Sequence, residues 1–188
     1  MSGKLFIFSA PSGSGKTTIV RHLLKQDFNL EFSVSATSRA SRGSEINGKD
    51  YYFLSIEEFK QKIANEEFLE WEEVYDDCYY GTLKSEIDRI RNRGNNVVFD
   101  VDVVGGVNIK KYYKDDALAV FIQPPSIEEL EKRLRGRKTD SEEVIAERIK
   151  KFKFELSFAD QFDKVIINDN LESALKEAEN TLSEFIKQ

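Results

Sequence analysis

The apolar positions of this chain follow two periodicities, and the change from one to the other marks its organisation. Leu5–Ser9 is a continuous apolar run, followed by Pro-Ser-Gly-Ser-Gly and then by Ile19, Val20, Leu23 and Leu24 at helical spacing. That reads as strand, glycine loop, helix. Further apolar runs at 96–101, 117–122 and 165–167 are each separated from the next by helical pattern. Strands alternating with helices predict a parallel sheet covered on both faces.

Between residues 32 and 83 the texture changes. Segments 32–36, 51–54, Phe68–Tyr75 and 78–81 read as short strands, interrupted by one helix with a capping box, Ser55 with Glu58, and an apolar stripe of Ile56, Phe59 and Ile63. A second departure follows Pro124-Pro125: another capping box, Ser126 with Glu129, opens two helix-like stretches to residue 157, rich enough in Arg, Lys and Glu to predict a solvated, mobile arm. Leu171, Ala174, Leu175, Ala178, Leu182 and Phe185 then repeat at 3 to 4 residues and predict a closing helix on the sheet. The expected architecture is α/β. A single domain over 1–188 has a three-layer core of 1–31, 84–125 and 158–188, with an inserted mixed α/β lobe at 32–83 and a helical lid at 126–157.

Composition narrows the partners. With 188 residues the chain can bury one sizeable core but hardly two. A net charge of −6 argues against broad nucleic-acid binding, which leaves a basic footprint. Any cations that handle phosphate must therefore be locally concentrated. The single cysteine, Cys78, cannot form an internal disulfide, and the apolar run at the start is too short for a signal peptide or a membrane span. A cytoplasmic enzyme with no nucleic-acid or membrane partner fits, and homo-oligomerisation is left open.

The glycine loop carries the first chemistry. Ala10, Pro11, Ser12, Gly13, Ser14, Gly15, Lys16 and Thr17, followed by Thr18, match G-x-x-x-x-G-K-[ST] except that Ala10 stands where the first glycine belongs. Glycines let backbone N–H groups wrap a polyphosphate, the helix starting near Lys16 adds its positive end, Lys16 supplies a mobile cation, and the Thr17 hydroxyl can ligate Mg²⁺. Ala10 affects only the first turn of the loop, and is harmless if its φ is negative.

Six motifs in order, SAPSGSGKTT, FSVSATSRASRGSEINGKDYYF, EFLEWEEVYDDCYYGT, VVFDVD, FIQPPSIEELEKRLRGR and VIIND, resemble the guanylate kinase family nearly end to end. The resemblance implies a P-loop kinase whose inserted lobe binds the acceptor. The implied reaction takes the γ-phosphoryl group of ATP, with Mg²⁺, to GMP and to dGMP, giving ADP and the nucleoside diphosphate. It further implies that Arg39, Arg42, Tyr51 and Tyr80 hold the acceptor phosphate. Two arginines three apart can converge on one dianion, with tyrosine hydroxyls as neutral donors; the blander reading from composition alone is solvated loop charges and core aromatics.

Glu70 is the residue implied to read the base. Guanine presents N1–H and N2–H₂ as adjacent donors, so one carboxylate can accept from both, whereas adenine offers an acceptor at N1. Ser35 and Thr82 are expected to donate to O6 or N7. Asp100 and Asp102 end an apolar strand, where open parallel sheets bind ligands: Asp100 is the candidate to orient Mg²⁺ or its waters, and Asp102, by resemblance, contacts the guanine amino group. Where the family commonly has Gln-Gly after the second Asp, this chain has Val104-Gly105.

By the same resemblance Arg133, Arg137 and Arg148 reach over the transferring phosphoryl group from the lid, with Lys16 as the fourth catalytic residue. The alternative is a solvated charged face, since Glu129 also pairs with Arg133 at i, i+4. Arg135 and Lys138 are read as bystanders, and Asn168 with Asp169 falls where the family cradles adenine. Two rivals keep part of this pattern: a phosphopeptide-binding module of the same fold, which needs neither Lys16 nor Thr17, and a kinase for another phosphorylated ribose, which does not need Glu70.

Overall fold

A computed structural model describes residues 3–136 and 141–188. In chain order the elements are β1 (Leu5–Ser9), α1 (Lys16–Leu23), β2 (Leu30–Phe32), β3 (Ala36–Thr37), β4 (Tyr52–Phe53), α2 (Ile56–Ala64), β5 (Phe68–Tyr75), β6 (Cys78–Leu83) and α3 (Lys84–Arg91). They continue with β7 (Asn96–Asp100), α4 (Val103–Tyr113), β8 (Ala117–Gln123), α5 (Ile127–Gly136), α6 (Glu142–Leu156), β9 (Lys164–Ile167) and α7 (Leu171–Ile186). The described chain forms two compact units, one of Gly3 with Glu31–Val97, the other of Lys4–Leu30 with Val98–Gln188. The chain crosses between them inside β2 and β7.

The second unit is an α/β layer structure. Its strands run β7-β1-β8-β9 within the sheet order β2-β7-β1-β8-β9. β1 pairs parallel with β8, Leu5 opposite Ala117, and β8 pairs parallel with β9, Val120 opposite Lys164. Every residue of β1 is buried because both faces of the sheet are covered. On one face Phe6 and Phe8 join Ile19, Val20 and Leu23 of α1 and Ala174, Ala178 and Leu182 of α7. On the other lies α4, so close that a Cβ at Gly106 would meet Ser9 Oγ at 2.6 Å and Ile7 Cγ2 at 3.3 Å. Truncating a fully buried ring such as Phe8 to Ala costs about 3–5 kcal/mol.

α5 and α6 belong to this unit, and beneath the exposed charges that predict a solvated arm they share an apolar seam. Leu130, Leu134, Ile145 and Phe152 form a buried apolar cluster between them. The predicted second capping box is only half made. Ser126 Oγ accepts from Glu129 N at 3.2 Å, but the Glu129 carboxylate turns to Arg133 Nε at 3.0 Å, where a full charge outbids the backbone amide.

The first unit carries a four-stranded sheet in the order β4-β3-β6-β5. β5 and β6 form an antiparallel hairpin whose turn residue Asp77 takes φ 57°. Phe59 of α2 stacks on Phe68 of β5 and Tyr79 of β6, with ring centroids 4.3 and 5.4 Å apart, and so fixes the helix on the sheet. The capping box of α2 is complete: Ser55 Oγ accepts from Glu58 N at 3.1 Å, and Glu58 Oε2 accepts from Ser55 N at 2.7 Å.

The strand expected over 32–36 is instead two, with Ser33, Val34 and Ser35 between β2 and β3. Val34 N donates at 3.1 Å to the carboxylate of buried Glu86, which also accepts from Arg89 and from Tyr52 Oη. Burial alone would push the Glu86 carboxyl up; the bonds from Arg89, Val34 N and Tyr52 hold it below the usual carboxylate range.

Candidate active site

The loop between β1 and α1 encloses one wall of a cleft of about 460 Å³ that Asp100, Asp102 and Glu155 also line. Gly15 caps α1 with φ 94° and no capping side chain, and α1 has no acidic residue in its first turn. The amides at this helix start are thus left for an outside anion. A side chain at Gly15 would also collide with Asn168 Nδ2 at 2.3 Å. Ala10 is not among the residues of positive φ, so its methyl group is accommodated at the first loop position.

Lys16 Nζ is ion-paired with Asp100 Oδ1 and donates to Val101 O at 3.1 Å. The loop cation and the strand-end carboxylate therefore meet at the cleft where sequence pairs them with phosphate and metal. Thr17 and Thr18 line the same cleft, and the Ser14 hydroxyl is buried with no hydrogen-bond partner among the described residues.

Asn168 organises the opposite side of the loop. Its side-chain Nδ2 donates to Ser14 O at 2.8 Å and its carbonyl accepts from Arg133 Nη2 at 3.0 Å. A second cleft, of about 370 Å³, lies here between Gly13, Thr18, Arg133, Asn168, Asp169 and Leu171. Arg133 thus joins the loop region by one bond while Glu129 holds its Nε. Arg148 of α6 donates to Ser12 Oγ, bringing a second expected lid arginine onto the loop. Arg137 and Lys138 lie outside the described residues. Arg135 is taken up by Glu131 and Glu142 and makes no loop contact among the bonds described.

Asp102 has a structural duty that sequence reading missed. Its carboxylate accepts from Gly105 N at 2.8 Å as the N-cap of α4, and its carbonyl accepts from Ser9 Oγ at 2.9 Å. Val104, at the position where the family commonly has Gln, is 43% exposed. Glu155 was also missed: only 6% exposed, it lines the same cleft as the glycine loop, Asp100 and Asp102. Burial pushes its carboxyl above the ordinary range, with Asp102 adding to the effect and Lys151 and Lys16 opposing it. Its signal was its spacing, three residues after Phe152 and beside Leu156 on the apolar stripe of α6.

In the first unit, Arg39 lies over the Tyr51 ring at 4.9 Å and donates from Nε to Tyr80 Oη at 2.9 Å, joining three of the four residues expected to hold the acceptor phosphate. Arg42, the fourth, is exposed. Glu45, which the motif reading did not single out, accepts from both terminal nitrogens of Arg39 at 2.7 and 2.8 Å and from Arg42 N at 2.7 Å. The Arg39 guanidinium, with the Arg42 amide, holds the Glu45 carboxyl down at about 2, and raises the hold on the Arg39 proton in return.

Glu70 of β5 stands opposite Thr82 of β6, and the Thr82 hydroxyl donates to Glu70 Oε1 at 2.5 Å. The hydroxyl proton expected for a base atom is in this arrangement spent on the carboxylate. Ser35 contributes its carbonyl, which accepts from Tyr52 N at 2.9 Å.

A parallel α/β unit with a phosphate loop, its lysine paired to a strand-end aspartate, defines a P-loop kinase fold. Comparison with known proteins gives the particular family. The profile described as Guanylate kinase matches residues 2–185. A guanylate kinase from Bacteroides thetaiotaomicron is 59% identical over 188 residues, spanning 100% of this chain and 92% of that one. One from Porphyromonas gingivalis is 55% identical over 97% of this chain and 98% of its own. The crystal structure of guanylate kinase from Anaplasma phagocytophilum superposes with a TM-score of 0.72 at 29% identity, covering 97% of this chain and 86% of that one. The chain belongs to the guanylate kinase family. No helix among the described residues is long and apolar enough to cross a membrane.

Proposed function

We propose that this protein is an ATP:GMP phosphotransferase that moves the γ-phosphoryl group of ATP to GMP or dGMP, with Mg²⁺. The observation that carries the reading is the Glu70 carboxylate held by Thr82, a group suited to guanine's paired donors, in a family member whose phosphate loop is complete at Lys16 and Thr17. A phosphopeptide-binding module would need neither loop residue. A kinase for another phosphorylated ribose would not need the carboxylate.

The acceptor is already a phosphate oxyanion, so no strong general base is needed; catalysis consists of alignment and of neutralising charge in flight. Lys16 serves the donor phosphates by exchanging Asp100 for a phosphate oxygen. Arg133 and Arg148, with Arg137, supply charge from α5, α6 and the segment that joins them. Arg39, Arg42, Tyr51 and Tyr80 hold the acceptor phosphate, while Ser35, Thr82 and Asp102 support recognition of the base. Asn168 fixes the loop for the adenine nucleotide.

The residues suit Mg²⁺ of the kind that phosphates complete. Thr17 and Asp100 line one cleft, and no cluster of three or more His, Cys, Asp or Glu that could hold a metal occurs among the described residues. A hard cation that keeps waters and takes phosphate oxygens needs no more than these two side chains. When bound it neutralises phosphate charge.

We read the protein as a cytoplasmic enzyme whose partners are small nucleotides, in keeping with its net charge of −6. Coupled ADP release measured with GMP, dGMP, AMP, UMP and ribose phosphates tests the whole assignment. Preferred turnover of GMP and dGMP is expected; equal turnover of AMP or of a ribose phosphate would overturn it.

A further inference from the structure

The Arg39 guanidinium has five N–H donors, as any arginine does. Four are already used. Nε bonds Tyr80 Oη, Nη1 bonds both Ala40 O and Glu45 Oε2, and Nη2 bonds Glu45 Oε1, all within 2.9 Å. The side chain is 11% exposed, packed over the rings of Tyr51 and Phe53 at 4.9 and 5.7 Å. Arg39 therefore cannot grip a phosphate with two parallel bonds while this arrangement lasts.

Arg42 is the opposite case. It is exposed, and its guanidinium makes no hydrogen bond or ion pair with any described residue. Its backbone N–H, however, donates to the same Glu45 oxygen that Arg39 Nη1 uses, at 2.7 Å. One carboxylate thus ties the largely enclosed arginine and the loop that presents the exposed one.

Resting on the reading of this lobe as the GMP site, we propose that Glu45 is a positioning residue of the acceptor-phosphate seat. It consumes Arg39 as a scaffold and leaves one N–H of Arg39 and the whole Arg42 guanidinium for the phosphate. Glu45 itself touches no reacting atom.

The inference opposes the simplest electrostatic expectation. Replacing Glu45 by Gln removes a negative charge from beside a dianion, so charge alone predicts tighter GMP binding. Replacing it by Ala also releases three N–H bonds of Arg39 and Arg42, so a carboxylate that merely blocked the seat would, once removed, strengthen binding further. Positioning predicts the reverse. Glutamine offers one acceptor oxygen where Glu45 uses two, and turns an NH₂ donor toward the arginine donors.

GMP and guanosine binding to the full chain, measured by calorimetry and by ligand-detected NMR, separates these cases, with Glu45→Gln and Glu45→Ala compared to wild type. We expect both variants to lose about tenfold or more in GMP affinity, the scale of a lost charge-assisted hydrogen bond, with guanosine affinity and ATP KM unchanged. GMP affinity equal to or above wild type in either variant overturns the proposal. So does a parallel loss for guanosine, which would mean a general structural role. Wild type that binds GMP no better than AMP would fail the functional reading itself, and is told apart because it needs no variant.

Discussion

Thr82 and Glu70 face each other across the antiparallel pair of β5 and β6, and the Thr82 hydroxyl donates to Glu70 Oε1 at 2.5 Å. The bond restrains one oxygen of the carboxylate proposed to accept from guanine. Glu70→Ala is expected to narrow the preference for GMP over AMP by at least about 2 kcal/mol in kcat/KM. Thr82→Val keeps the shape and removes the hydroxyl, and should narrow the same ratio by about fivefold. Acceptor kinetics on GMP and AMP check both. An unchanged ratio in Glu70→Ala removes the base-reading role.

The role proposed for Arg42 differs in kind from that proposed for Glu70, because a phosphate contact carries no information about the base. Arg42→Ala should weaken GMP and AMP alike, by about 2 kcal/mol each, the loss expected for a charge-assisted contact. Because its guanidinium is exposed, makes no hydrogen bond or ion pair with a described residue and only adds its charge to the field at Glu45, the melting temperature should stay within about two degrees of wild type. A loss confined to GMP would contradict the phosphate assignment.

Lys16 sits in an ion pair with Asp100 at the mouth of the loop. Lys16→Ala is expected to cut turnover by about 10³ or more if, as proposed, this charge serves the transition state. Some stability is lost as well, because the pair is only 18% and 24% exposed and the substitution leaves the Asp100 carboxylate and Val101 O without this donor; a melting curve checks that the variant is folded when turnover is measured. Near-normal turnover in this variant would undo the loop assignment.

The parts of fold and site legible in sequence are those governed by neighbours along the chain. β1, β7 and β8 were visible as apolar runs, α2 through Ser55 and Glu58, and the loop through the spacing of Gly13, Gly15, Lys16 and Thr17. What escaped depends on partners far away. The break between β2 and β3 follows from Val34 N bonding Glu86, 52 residues on. The capping duty of Asp102 was local, yet the motif reading had already assigned that carboxylate to a ligand. Glu45 looked like one acidic residue in a polar loop, because only the fold-back of Arg39 onto it exposes its use. Glu155 was hidden among the charges of α6, although its place beside Phe152 on the apolar face marked it.

Glu155 provides a pH-dependent test of its own burial. Its carboxyl is raised above the ordinary value of 4.5, first by burial, with Lys151 and Lys16 opposing and Asp102 reinforcing. A group whose folded-state value is raised contributes stability that is fully present below its unfolded value and is lost as pH rises through the folded one. Glutamine imitates the neutral carboxyl at every pH. Glu155→Gln should therefore melt close to wild type below the unfolded value of 4.5 and above wild type at about pH 8, where the buried charge costs most. Every other titrating group is common to both proteins and cancels in the difference. Melting curves of the pair across this range decide the matter: a difference that does not grow with pH means that the Glu155 carboxyl titrates like a solvated one, and that the cleft beside Lys16 reaches water at that position.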